Sequence, residues 1–437
     1  MKDLKGFLLR AAYLALACAM FYFVNGDVRI GGFGVMYQYL LAIVIILLAF
    51  TVFLVQPDLY RMVVTLRYSW ALSVNYLWIL LYSMLVWGFS LSPFNVITRG
   101  GFAVIYALIG VLTAAATVYL FGREGVRLMV GALLLVNGIY IVEAIANHGA
   151  GPFIQEFVEL ILSGTDKTGP IMKSFENLNF AYLVGFFMLY QVLEELFDRR
   201  LRKKGLWHTS MFRREWWLFP LAGGCLLLGL KRSVLLAVFI SFMVGILLMQ
   251  IPDREARASV RGLCVLLTLF GFAYVIACYY GIMDWLELIG VNTRTRAHFF
   301  GQLRAYYEMS VGYFGRGAGF ISRMMQEGSL VAASNGYLPN DIHNEFLRQY
   351  IELGFFGYLI WMILYLNYKI EFFFHGLNTE NDRFHGILVM CFIVANYMTF
   401  MTENSLYGFK LIMVSSLLMM AYHFEDYCGL EAESRYG

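Results

Sequence analysis

The chain has 437 residues, of which 60% are apolar or aromatic and only 14% are charged, with a mean hydropathy of +0.65. That composition excludes a soluble globular enzyme, because a bilayer crossing takes roughly 20 apolar residues and the chain holds material for about a dozen. A net charge of +3 is too small for a nucleic-acid binder, so the position of each charge matters more than the total.

Apolar runs fall at 7–24, 35–55, 72–92, 101–121, 126–147, 179–197, 216–230, 233–250, 262–280, 353–371, 385–402 and 406–424. They predict an all-α polytopic membrane protein with about twelve transmembrane helices. The first run carries Arg10 and lacks a small-residue cleavage site, so it reads as an anchor and not as a removed signal peptide. Every second connection is basic: Lys2 and Lys5, then Arg61 and Arg67, Arg123 and Arg127, the run from Arg199 to Arg214, and Arg254, Arg257 and Arg261. Basic short connections favour the cytoplasm, which predicts both termini there and a topological anchor at 198–215. No repeat or low-complexity linker divides the chain, so 1–437 is expected to be a single membrane domain. Cys18, Cys225, Cys264, Cys278 and Cys391 sit in apolar runs, and Cys428 in the tail, without a CxxC or Cys/His cluster; they read as buried thiols, with neither disulfides nor zinc expected.

Two long connections then face outward, 149–179 and 281–352. The smaller carries Phe153, Phe157, Leu160 and Ile161 at helical spacing, which fits an interfacial helix or a packing lid. Arg10 and Glu143 are the main charges inside apolar runs, expected to pair with each other or with polar helix faces.

The larger loop holds Arg294, Arg296, Arg304, Arg316, Arg323 and Arg348 and no lysine. A guanidinium is a planar fork of donors with permanent charge, suited to phosphate, so this set suggests phosphate recognition. The alternative is pairing with Glu308, Glu327, Glu345 or Asp341, or snorkelling to headgroups. Gly315, Gly317 and Gly319 alternate around Arg316, as a tight turn or a phosphate cradle would. Asp341-Ile-His343-Asn344-Glu345 then leads through Glu352, Gly354 and Gly357 into an apolar run. His343 has the chemistry to accept a proton from a sugar hydroxyl, although a lone histidine is more often structural. Lys231 and Arg232 lie at the outer end between two runs; either the pair caps two helices and snorkels outward, or Arg232 points inward and supplies part of a cationic cluster.

The spacing of His343, Asn344, Glu352, Gly354 and Gly357 resembles the signature of the O-antigen polymerase and O-antigen ligase superfamily. The order of parts is also similar, with about twelve helices and a large loop between the ninth and tenth. Arg232 stands near a helix end ahead of the loop, Arg296 or Arg294 near its start, and Gly315 and Gly317 before the histidine. The motifs cover about residues 216–371, and the topology covers the whole chain. The resemblance implies a glycosyltransferase at the outer face of the bacterial inner membrane, acting without a cofactor on an undecaprenyl-diphosphate-linked glycan. It implies Arg232, Arg296 and His343 as catalytic residues. Arg294, Arg304, Arg316, Gly315, Gly317, Asn344 and Glu352 are implied substrate-binding residues. Arg316 between the glycines departs from the family pattern, which has an apolar residue there. The chain has no DxD metal motif and no Walker loop, and direct displacement predicts inversion at the anomeric carbon.

Polymerase and ligase share this donor and differ in the acceptor, another lipid-linked repeat or lipid A-core. The Asp341–Leu347 stretch favours a polymerase, with a chain-length regulator as a conceivable partner. A transporter of lipid-linked or anionic solutes is the competing class. It calls for paired half-repeats and midplane charges, whereas Arg10 and Glu143 form no evident repeat and the arginines concentrate at the outer surface.

Overall fold

The computed structural model describes residues 2–23, 27–30, 33–163, 169–177, 180–203, 210–229, 231–290, 293, 296–328, 342–374 and 380–436. The chain is an all-α polytopic membrane protein. Its described strands are the short antiparallel pair β1 (Asp27–Ile30) and β2 (Phe33–Met36), with Asp27 opposite Met36.

In chain order the helices are α1 (Lys2–Tyr22), α2 (Tyr37–Val55), α3 (Leu59–Ser90), α4 (Phe94–Phe121), α5 (Glu124–His148), α6 (Ala150–Ser163), α7 (Pro170–Asn177), α8 (Phe180–Lys203), α9 (Met211–Arg214) and α10 (Leu218–Leu228). They continue as α11 (Arg232–Gln250), α12 (Asp253–Tyr279), α13 (Ile282–Leu288), α14 (Arg296–Leu303), α15 (Phe320–Gln326), α16 (Glu345–Ile363), α17 (Lys369–Phe374), α18 (Glu380–Phe400) and α19 (Phe409–Tyr436). Among the described residues, nine helices are long and apolar enough to cross a bilayer, with α16 and α17 counted as one through the π segment Leu364–Tyr368. Three shorter apolar helices, Gly6–Tyr22, Leu218–Leu228 and Phe409–Tyr422, occupy the remaining predicted runs.

Inside a bilayer apolar side chains gain little by leaving lipid, so close packing has to come from shape. Gly110 on α4 is such a point, where an added Cβ would lie 3.0 Å from the carbonyl oxygen of Phe409 on α19. Gly245 on α11 is another, where a Cβ would meet Leu193 of α8 at 2.8 Å and Cys391 of α18 at 3.0 Å. Helices α8 and α18 are buried along most of their length, whereas α2 and α12 turn Leu47, Phe50, Leu54, Leu266 and Leu269 outward as a lipid-facing rim requires.

One end of the bundle gathers the basic connections. There Arg123 is buried against Glu194, Arg202 pairs with Asp198 at 2.5 Å, and Arg127 with Glu215 at 2.8 Å. On α8, Glu195 pairs with Arg199 and Arg213, and Asp198 with Arg202, so its acidic residues take up part of the basic run that the sequence presents as an anchor. Arg10 and Glu143 do not pair with each other: Arg10 bonds Glu124 at 3.0 Å, and Glu143 accepts from the Tyr22 hydroxyl at 2.6 Å. The described cysteines Cys18, Cys225, Cys264, Cys278 and Cys391 are free thiols. The opposite end, the loop face, carries α13 to α15 and the candidate site.

Candidate functional site

The site is built around the start of α16. Asn344 is its N-cap, fully buried, and its Oδ1 accepts from the Leu347 amide at 3.0 Å. An N-cap needs extended backbone, and the residue ahead of it turns sharply: His343 has φ +48°. A left-handed conformation costs a non-glycine residue about 1 kcal/mol. Here the His343 amide is held by Asn404 Oδ1 at 3.0 Å, which offsets that cost and fixes the imidazole at the surface, where it is 41% exposed.

Residues Thr402, Glu403 and Asn404 form the tight link between α18 and α19, closed by the amides of Thr402 and Glu403 donating to the Thr399 carbonyl at 3.1 and 2.8 Å. Three cation-bearing segments converge on this link. Arg296, at the first turn of α14, donates to the Thr402 carbonyl at 3.0 Å. Lys231, the residue ahead of α11, has Nζ 3.9 Å from Glu403 Oε2 and 5.2 Å from the centre of the Tyr182 ring. His343 Nδ1 stands 3.8 Å from the same Glu403 oxygen and 3.4 Å from Asn404 Nδ2. The segments bearing Arg232, Arg296 and His343 therefore meet, as a shared site demands. One detail differs from the sequence expectation: Lys231 is the inward cation, while Arg232 at the helix start is exposed. Next to it, Ser233 shares a 2.8 Å hydrogen bond with Tyr182.

The glycine loop is a packing device. The amides of Arg316 and Gly317 donate to the Glu352 carbonyl at 3.1 and 2.7 Å, and the Ala318 amide donates to Ser83 Oγ at 3.0 Å. Gly319 and Ile321 donate to Glu352 Oε1, both at 3.1 Å. A phosphate cradle needs unengaged amides, and these are all taken. A Cβ at Gly315 would lie 2.5 Å from the Glu352 carbonyl, and one at Gly317 would lie 2.4 Å from the Trp87 ring. Glycine is required here for close approach, with positive φ at both positions. For Gly315, Gly317, Asn344 and Glu352, expected to bind substrate, the structure shows roles within the protein. Asn344 caps a helix, fully buried Glu352 clamps the loop, and the two glycines let loop and helix touch. Gly354 completes the lock: it breaks α16 at φ +67°, and a Cβ there would lie 2.2 Å from the Tyr313 carbonyl, which accepts from the Phe355 amide at 2.8 Å.

The other arginines divide. Arg304 pairs with Asp284 at 3.0 Å, and Arg323 with Glu327 at 2.8 Å, the bond that holds the Glu327 carboxyl below its usual range. Arg348 is buried, donating to Ser322 Oγ at 2.8 Å with its guanidinium 4.8 Å from the centre of the Tyr407 ring. Arg316 is exposed, with Nε on the Tyr306 carbonyl at 3.2 Å. Arg294 lies outside the described residues. Burial pushes the Tyr307 and Tyr313 hydroxyls up, so both stay neutral, and Tyr313 donates to the Ile351 carbonyl at 2.8 Å.

Glu403 and Asn404 are the functional candidates that sequence reasoning passes over. Their signal is faint: a polar Thr-Glu-Asn-Ser stretch between the last two apolar runs, at the end where the twelve-run topology puts the large loop. The resulting arrangement is an exposed imidazole backed by a carboxylate, beside an ammonium and two guanidinium-bearing positions. It can take a proton from one group while stabilising negative charge on another. No protein-family model and no curated protein matches this chain.

Proposed function

We propose that the protein is a membrane glycosyltransferase that polymerises undecaprenyl-diphosphate-linked oligosaccharide repeats of O-antigen, capsule or exopolysaccharide. In this reading the loop face is the outer face of the bacterial inner membrane and both termini are cytoplasmic. The supporting observation is the meeting of His343, Glu403, Lys231 and Arg296 at the α18–α19 link, with Arg232 alongside.

The chemistry follows from charge. The acceptor hydroxyl oxygen attacks the anomeric carbon, its proton passes to the free nitrogen of the His343 imidazole, and the electron pair of the breaking carbon–oxygen bond moves onto the diphosphate. Lys231, Arg232 and Arg296 stabilise the charge that grows on the leaving group more in the transition state than in the ground state. Glu403, beside His343 Nδ1, orients the imidazole and balances the imidazolium as it forms. A single displacement inverts the anomeric centre.

The test is glycan analysis of a deletion strain complemented with wild type, His343→Ala or Arg296→Ala at matched protein levels. A ladder that collapses to one repeat in the deletion and both variants is the expected result. Loss of all core-attached repeats, with lipid-linked polymer accumulating, would instead assign the ligase reaction. Unchanged glycan with both variants would overturn the site.

A further inference from the structure

A second cleft, of mixed polar and apolar lining, lies on the loop face outside the His343 cluster. It has a volume of about 200 Å³ and is walled by the end of α5 and by α7, with Tyr140, Glu143, Asn147, His148, Ser174 and Phe175 in its lining. The wall is well built. Helices α6 and α7 share a small core of their own, in which Phe153, Leu160, Ile171, Met172 and Phe175 pack with Leu228 of α10. Glu156 of α6 caps α7 by accepting the Ile171 and Met172 amides at 2.9 and 3.1 Å. This fixes α7 over the end of α5 and keeps the cleft open between them.

The lining selects a ligand class. Glu143 and Asn147 are one turn apart on a single helix face, so their polar ends point to the same space. Glu143 Oε1 accepts from Tyr22, whose ring stacks on Tyr140 at 5.5 Å, and Oε2 has capacity for a ligand hydroxyl. A carboxylate repels an anion, a single carboxylate is too few oxygens for a divalent cation, and the mixture of Glu143, Asn147, His148 and Ser174 with Ala144, Pro170 and Ile171 fits an amphipathic ligand better than an alkyl chain. Hydroxyl acceptors and donors at Glu143, Asn147 and Ser174, interleaved with the Tyr140 ring and apolar Ala144, Pro170 and Ile171, suit a saccharide, which offers hydroxyls at its edge and C–H groups on its face.

The cleft also adjoins the first site. The Phe175 carbonyl oxygen lies 3.7 Å from where a Cβ on Gly229 would stand, two residues ahead of Lys231. We infer that the cleft between α5 and α7 is a saccharide-binding site that holds a sugar of the acceptor glycan. Its assignment to the acceptor rests on the glycosyltransferase reading; the binding of a saccharide does not.

The experiment uses the full chain in lipid nanodiscs and saturation-transfer NMR with methyl glycosides of glucose, galactose, mannose, rhamnose and N-acetylglucosamine. At least one of these is expected to bind wild type and His343→Ala equally. Binding should weaken about tenfold in Glu143→Gln, which replaces a charged acceptor by a neutral one, and in Asn147→Ala on the exposed helix end. No saturable binding to wild type, or equal binding to both cleft variants, would overturn the inference. Saccharide binding with the expected variant losses, in a protein whose glycan product is unaffected by His343→Ala, would keep the cleft and remove the reaction.

Discussion

Replacing Glu352 by glutamine isolates what the carboxylate does for the loop. Glutamine keeps the shape and one carbonyl oxygen, so it can still face the amides of Gly319 and Ile321, each 3.1 Å from Oε1 in the native protein. It removes the charge from both bonds, and it sets a neutral amide where Arg348 Nε stands 3.6 Å from Oε2. Hydrogen bonds to charged groups contribute about 1.5–3 kcal/mol and neutral ones about 0.5–1.5, so each of the two loses about 1 kcal/mol. About 2 kcal/mol in total corresponds to a roughly 30-fold larger opening equilibrium. Hydrogen exchange read by mass spectrometry should therefore speed up about 30-fold in peptides covering 315–323, more in Glu352→Ala, and not at all in α2. If Glu352→Ala left exchange in that segment unchanged while weakening donor binding, the carboxylate would be a ligand group and the clamp would be wrong.

Three other outcomes follow from the geometry. Gly354→Ala has to hold a left-handed backbone and fit a Cβ 2.2 Å from the Tyr313 carbonyl, so it should lose about 3 kcal/mol or more, seen as a lower unfolding midpoint in detergent; a native midpoint would contradict this. Glu403→Gln should slow glycosyl transfer about 100-fold with little change in that midpoint, because it removes the balancing charge beside His343 without emptying a core position; wild-type turnover would dismiss the pairing. Proton NMR of the product should show the newly formed linkage with anomeric configuration opposite to that of the donor, and retention would exclude single displacement.

Much of the fold was readable because a bilayer imposes length and apolarity on every span: each of the twelve runs coincides with a helix, although α3 and α16 begin earlier, at Leu59 and Glu345, than their apolar cores do. The motif was readable as a pattern but not as a set of roles. A carboxylate that accepts backbone amides and one that accepts sugar hydroxyls look alike in a sequence, so Glu352 and Asn344 passed for ligand groups when burial makes them clamp and cap. What remains at the surface is His343, the one polar residue of the motif that the packing leaves half-exposed. Its partner Glu403 was invisible for another reason, since the pair is joined by the meeting of α16 with the α18–α19 link and no local pattern encodes that meeting. Lys231 and Arg232 show the limit at single-residue scale: Lys231 has the extended backbone of an N-cap and Arg232 opens the helix, and only the packed structure tells which of the two neighbours faces inward.

The most direct measurement is release of polyprenyl diphosphate by purified protein in nanodiscs supplied with a polyprenyl-diphosphate-linked oligosaccharide as both donor and acceptor. Release coupled to a longer lipid-linked glycan is expected in the wild type, with both products falling at least about 100-fold in His343→Ala and Arg296→Ala, each with a native unfolding midpoint. Wild-type rates in both folded variants would contradict the proposed mechanism.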